Sequence, residues 1–107
     1  MTNLFTALRV SGSALQAAGQ AQAATASNVA NVNTDGYRAL DRYYVARSGR
    51  VELMISESAA PAVPEGSNVN LTREMVNEIT DSLLYQANSN VIKANDWLLG
   101  TILDAYH

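Results

Sequence analysis

The residues able to do chemistry in this chain fall into two groups. Asn28, Asn31 and Asn33, followed by Gly36 and Tyr37, gather amides, a glycine and a phenol into one short stretch. The second group is ionic: Arg38, Arg42, Arg47 and Arg50 lie close together, and Glu74, Glu78 and Asp81 lie further on. The amides can cap a helix end or bond to an adjacent chain, and the arginines can form a solvated face or pair with the acidic residues. Neither group is a catalytic constellation. The chain has no cysteine, which excludes disulfides, thiolates and cysteine zinc sites. Its one histidine is the final residue, His107, so a histidine base or metal cluster is not expected. No nucleophile with a matched base emerges, and the chain is expected to be no enzyme, with no cofactor and no metal.

The elements that hold these groups follow from composition and period. A length of 107 residues bounds a single domain with a modest core. Hydrophobic residues make up 48%, but many are alanine, with one Trp and one Phe, which favours thin, close helix packing. The net charge of −3 gives no bulk attraction for nucleic acid or an anionic membrane. The N-terminus lacks the basic and apolar regions of a cleaved secretory signal, and no segment suits membrane insertion.

Residues 1–33 carry a seven-residue repeat that predicts a long helix, about 45 Å at 1.5 Å per residue. Met1, Leu8, Leu15, Gln22 and Val29 share one position of the repeat, and Leu4, Ser11, Ala18, Thr25 and Val32 share the other. Ala14, Ala17, Ala21 and Ala24 cover the remaining faces. A stripe this small is weak alone, since a buried CH₂ contributes only about 0.8 kcal/mol, and it suits a helix packed among several neighbours. The helix ends at Asn33-Thr34-Asp35-Gly36, residue types that tolerate left-handed backbone.

Residues 34–56 hold this joint and then a β-hairpin, where the period changes to two. Tyr43 and Val45 are expected to share a face with Val51, Leu53 and Ile55 through a three-residue loop, Arg47-Ser48-Gly49, with Gly49 left-handed. The alternative two-residue loop, Ser48-Gly49, pairs Val45 with Glu52 and keeps neither strand's odd face matched. Residues 57–69 form a linker stiffened by Pro61 and Pro64. Residues 70–106 form the second helix, capped by Asn70. Its apolar stripe runs through Val76, Ile79, Leu83, Ala87, Val91, Ala94, Leu98, Ile102 and Ala105, widened by Ile92, Leu99, Leu103 and Tyr106. Asn77, Asp81, Asn88 and Asn95 mark a polar face expected to be solvated. The apolar face exceeds what one alanine helix covers, which suggests a larger assembly. The expected fold is mainly α: two long antiparallel terminal helices, a coiled-coil-like hairpin, with a small two-stranded β-hairpin between them.

Ala30-Asn31-Val32-Asn33-Thr34-Asp35-Gly36-Tyr37 resembles the joint motif of the bacterial flagellar basal-body rod and hook family. Ser67 to Asn77, Ala87 to Asp96 and Leu99 to Asp104 resemble that family's C-terminal helix. The resemblance spans both ends of the chain, in order, over roughly seven-tenths of it. Hook and distal-rod members carry large β-rich domains between the helices, so this chain resembles a short, proximal-rod-like member. Trp97-Leu98-Leu99 stands where the family usually has a methionine, and Asp81-Ser82-Leu83-Leu84-Tyr85 departs from its mid-helix pattern.

The resemblance implies a structural subunit of the basal body that assembles with itself and with other rod and hook subunits. It implies terminal helices that pair, order on assembly and transmit torque. It also implies passage through the flagellar type III export apparatus to the periplasm without a cleaved signal. The residues expected at assembly contacts are Asn28, Asn31, Asn33, Gly36 and Tyr37 at the joint, and Asn77, Tyr85, Asn88, Val91, Leu98 and Leu103 on the second helix. Two other readings compete. One is a small secreted helical hairpin of a specialised secretion system. The other is an adaptor or chaperone that binds partner helices.

Overall fold

A computed structural model describes residues 2–106, with side chains described from Leu4 onward. The chain runs α1 (Thr2–Ala30), β1 (Leu40–Arg47), β2 (Arg50–Glu57) and α2 (Leu71–Ala105). The two helices pack on each other and the antiparallel hairpin lies along α1, giving a body 67 × 23 × 14 Å. The fold is therefore the expected one: two long helices flanking a two-stranded hairpin. No helix among the described residues is long and apolar enough to cross a membrane.

Alanine makes this architecture possible. Leu4, Ser11, Ala18 and Thr25 are buried, as one position of the repeat predicts. Ala14, Ala17, Ala21 and Ala24 are buried as well rather than spread over the remaining faces. The hairpin occupies the side of α1 next to α2, so one wide strip of small residues is covered by both. Small side chains let three elements approach closely, at the cost of little apolar area per residue.

The hairpin turns differently from expectation. Ser48 (φ 53°) and Gly49 (φ 73°) are both left-handed, which makes a two-residue loop of type I′ geometry. The register pairs Val45 with Glu52, Tyr43 with Met54 and Tyr44 with Leu53. Gly49 is left-handed as expected, but Ser48 is too. The primed turn matches the right-handed twist of the strands, and that preference outweighs keeping the odd residues of both strands together. Val51 and Leu53 are half-buried, but on β1 it is Arg42 and Tyr44 that reach inward, while Tyr43 is exposed.

The second correction concerns α2. Its polar residues turn toward α1 at the joint end: Glu74 and Asp81 are buried, and Asn77, Asn88 and Asn95 are half-buried. The face expected to be solvated is thus the inner one. Val76, Ile79, Leu83, Val91 and Leu98 are exposed, while Ile92, Leu99 and Ile102 are half-buried toward the C-terminal end. The reason is specific pairing. Asp81 meets charged and hydroxyl donors from the hairpin, and Glu74 Oε1 meets an amide from α1, so these two carboxylates find inside the chain some of the partners that water would otherwise supply. Asn70 caps α2 as expected, its side chain accepting from the Arg73 N–H at 3.1 Å.

Candidate assembly joint and interhelical groove

The joint is built around Asn28, which is fully buried on the last turns of α1. Its Nδ2 donates to the Leu40 carbonyl and to Glu74 Oε1, both at 3.0 Å. Its Oδ1 accepts from the Leu40 N–H at 2.8 Å and from the Tyr37 hydroxyl at 3.0 Å. Two donors and two acceptors are a side-chain amide's full capacity. One residue thus ties α1 to the first residue of β1, to the tyrosine anchor and to α2. Tyr37 Oη also lies 3.2 Å from Ser27 Oγ.

The other expected joint residues have distinct roles. Asn31 closes its own helix: Nδ2 donates to the Ser27 carbonyl at 2.8 Å, and Oδ1 accepts from Thr34 Oγ1. Asn33 is exposed. Gly36 has φ +75°, a conformation that side chains with a Cβ resist. Its N–H points at two carbonyls of the returning chain, Val63 at 3.1 Å and Gly66 at 2.9 Å. Asn28 and Asn31 therefore bond within the subunit, and only Asn33 has its amide on the surface.

The returning chain, residues 58–70, clamps this corner. Asn68 accepts from the Ala39 N–H with Oδ1 and donates to the Ala60 carbonyl with Nδ2, while its own N–H donates to the Tyr37 carbonyl. Ser67 Oγ donates to the Val32 carbonyl at 2.6 Å, and Arg38 donates to the Ser58 and Ala60 carbonyls. Asn68 and Ser67 were not singled out by sequence reasoning. Their hydrogen bonds span 29 and 35 residues, and no local period encodes such pairings.

Two helical turns beyond Glu74, Asp81 is fully buried. Arg42 pairs with it through both terminal nitrogens, at 2.7 Å to Oδ2 and 3.1 Å to Oδ1, and Arg42 Nε donates to Thr25 Oγ1 at 3.2 Å. Tyr44 donates its hydroxyl to Asp81 Oδ1 at 2.8 Å. Burial, then the hydrogen bond to Asp81, pushes the Tyr44 hydroxyl well above its ordinary value, so it stays a donor. The pairing of a hairpin arginine with an acidic residue on α2 is thus present for Arg42 and Asp81. Arg47 and Arg50 pair instead with Glu52 on the hairpin surface.

On α2, Asn77 is half-buried, and Asn88 donates to the Leu84 carbonyl of its own helix at 2.8 Å. Tyr85, Val91, Leu98 and Leu103 are exposed. The joint residues and these α2 residues therefore form no single cluster. A second surface feature lies between the helices beside the joint. There a groove of about 610 Å³ runs between Ala26 and Val29 of α1 and Met75 and Ile79 of α2, with Glu74 and Glu78 along it.

No curated protein matches the chain. Two family descriptions do match it. Residues 8–38 match the flagella basal body rod protein family, and residues 62–105 match the C-terminal family of the flagellar basal body rod FlgEFG proteins. The first match takes in most of α1 and the joint through Tyr37, and the second takes in the returning chain and α2. Together the two matches cover more than half of the chain, on the same elements that build the joint and its groove, and the chain belongs to the flagellar basal body rod family.

Proposed function

We propose that this chain is a rod subunit that assembles through its two terminal helices and transmits torque through their interlocked packing. Family membership makes it a structural component of the flagellar basal body rod. The observation that carries the finer reading is the inverted α2. Its polar stripe faces inward, with Glu74 and Asp81 buried, and Met75, Val76, Ile79, Leu83, Val91, Leu98 and Leu103 are exposed along one long helix. Exposed aliphatic residues repeated over a helix of 35 residues are a surface that neighbouring helices would cover. The joint residues then act indirectly, holding α1, α2 and the hairpin at fixed angles while neighbours pack on α2. Its partners are other rod and hook subunits and further copies of itself, and it reaches the periplasm through the flagellar export apparatus.

Deleting the gene in the source bacterium tests this. Cells should be immotile and lack complete basal bodies, and a tagged copy should restore motility and co-purify in the rod fraction. Secretion of the tagged copy should stop when the flagellar export gate is removed. Normal motility with normal filaments after deletion would overturn the proposal.

A further inference from the structure

We propose that the groove between α1 and α2 at the joint receives a helix of a different, neighbouring subunit, one that places a lysine or arginine among short aliphatic side chains. The inference rests on the rod-subunit reading. The groove has apolar walls and an acidic edge. Val29, Met75 and Ile79 are 41%, 61% and 61% exposed, so much of their apolar surface is left uncovered by the described residues. On the α1 side Thr25 and Ala26 are small, which lets another helix approach closely.

Glu74 identifies the partner's chemistry. It is 4% exposed; Oε1 accepts from Asn28, and Oε2 is buried with no hydrogen-bond partner. No lysine or arginine among the described residues forms an ion pair with it; Arg73 beside it turns to Asp41 at 3.5 Å, and Arg42 is taken by Asp81. Glu78 adds a second carboxylate to the same groove, held by Gln22 and Ser82 and paired with no lysine or arginine among the described residues. Two carboxylates beside an apolar trough, one short of a donor, fit an amphipathic cation. The stem of a lysine or arginine lies along Met75 and Ile79 while its charged end answers Glu74 and Glu78.

A second copy of this chain is the poorer occupant. Its own helices carry Arg9, Arg73 and Lys93. Arg73 is used by Asp41, and the Arg9 guanidinium lies beside Gly49 of the hairpin turn. Lys93 stands near Asp96 and one turn from Trp97, which brings bulk and negative charge to a groove that wants neither.

Photo-crosslinking in native basal bodies tests the proposal. A benzophenone amino acid replaces Met75 in one strain and Leu98 in another, and the adducts are mapped by mass spectrometry. From Met75 the expected adduct lies on a helix of another flagellar subunit, with a lysine or arginine within one turn of the linked residue. Changing that residue to Glu should cut the adduct about tenfold, and Glu78→Lys should restore it. Glu74→Gln, which keeps an oxygen for Asn28, should weaken the adduct without unfolding the subunit. An adduct to a segment without a basic residue, or to a second copy of this chain, overturns the proposal. So does silence at Met75 while Leu98 links to a flagellar subunit, an outcome that leaves the rod reading standing. No flagellar adduct from either site overturns both.

Discussion

Two buried carboxylates stand seven residues apart on the inner face of α2, and the chain treats them differently. Asp81 Oδ1 accepts hydrogen bonds from Arg42 Nη1 and the Tyr44 hydroxyl, while its Oδ2 is met by the Arg42 charge at 2.7 Å without hydrogen-bond geometry. Glu74 has one donor, Asn28, and an orphaned oxygen. The difference follows from what covers each. The hairpin lies along α1 and sends two side chains across to Asp81, while Glu74 sits at the end of the helix pair where a groove stays open. Asp81 is closed by its own subunit. Glu74 is left for another molecule to complete. A buried acceptor without a donor costs on the order of 1–3 kcal/mol, which a lone subunit bears and an assembled one recovers.

The comparison breaks most visibly at Asp81. Arg42→Ala leaves its charge buried and unpaired, and the expected loss is about 3–5 kcal/mol. Urea denaturation of the purified chain, followed by circular dichroism, measures it. The double change Arg42→Met with Asp81→Leu should recover most of that loss, because an apolar pair of similar volume needs no counter-charge. If Arg42→Ala costs less than about 1 kcal/mol, the pair is not closed as described.

Asn28→Ala comes next, at about 2–4 kcal/mol, since it orphans the Leu40 amide and carbonyl, frees the Tyr37 hydroxyl and strips Glu74 of its remaining donor. Hydrogen exchange should show the Leu40 amide losing protection before the mid-strand amides. A variant whose Leu40 protection is unchanged would remove Asn28 from the centre of the joint.

The sequence carried the outline of this fold but not its facing. Period and breakers placed both helices, the hairpin and the cap at Asn70, because those signals are local. The face of α2 was not legible that way. Asn77, Asp81 and Asn88 read as a solvated stripe, and only the arrival of Arg42 and Tyr44 from a strand 37 to 39 residues away makes the stripe an inner one. The hairpin register failed for a related reason. Side-chain alternation argued for one loop, whereas the twist of the strands selects another, with Ser48 left-handed. Of the joint, Gly36 was readable because glycine after a helix end has one common use. Asn28, lying inside the helical pattern, gave no sign that it would bond to Leu40 rather than to a neighbouring chain.

Gly36 tests the joint with a smaller effect. A Cβ there would meet nothing within 4 Å, so any cost is the backbone's. Gly36→Val should cost about 1–2 kcal/mol and Gly36→Asn clearly less, because asparagine tolerates the left-handed region. Equal losses in thermal melts would mean that the φ of +75° is not what matters. Tyr44 sharpens the Asp81 side through pH. Its folded-state pKa is raised, so its contribution is complete below the ordinary tyrosine value of about 10 and fades as pH climbs above it, where the unfolded chain loses the proton first. Stability should fall on the alkaline side, and Tyr44→Phe should flatten that limb. An alkaline limb identical in the variant would assign it to other groups.

The smallest effect is expected at Glu74, and its smallness is the point. Glu74→Gln keeps a carbonyl oxygen for Asn28 Nδ2 and replaces the orphaned oxygen with an amide nitrogen on the groove side. On the purified subunit this removes a buried carboxylate with which no lysine or arginine among the described residues pairs, so the change in stability should stay within about 0.5 kcal/mol or be slightly favourable. Asp81→Asn, the same chemistry two turns away, should instead cost several times as much, because it discards the charge that Arg42 is placed to meet. The two substitutions differ by one methylene and by whether the subunit supplies the cation. If denaturation gives them equal costs, the contrast between a closed carboxylate and an open one fails. If Glu74→Gln is silent in the isolated chain but reduces motility, the missing donor comes from a neighbour.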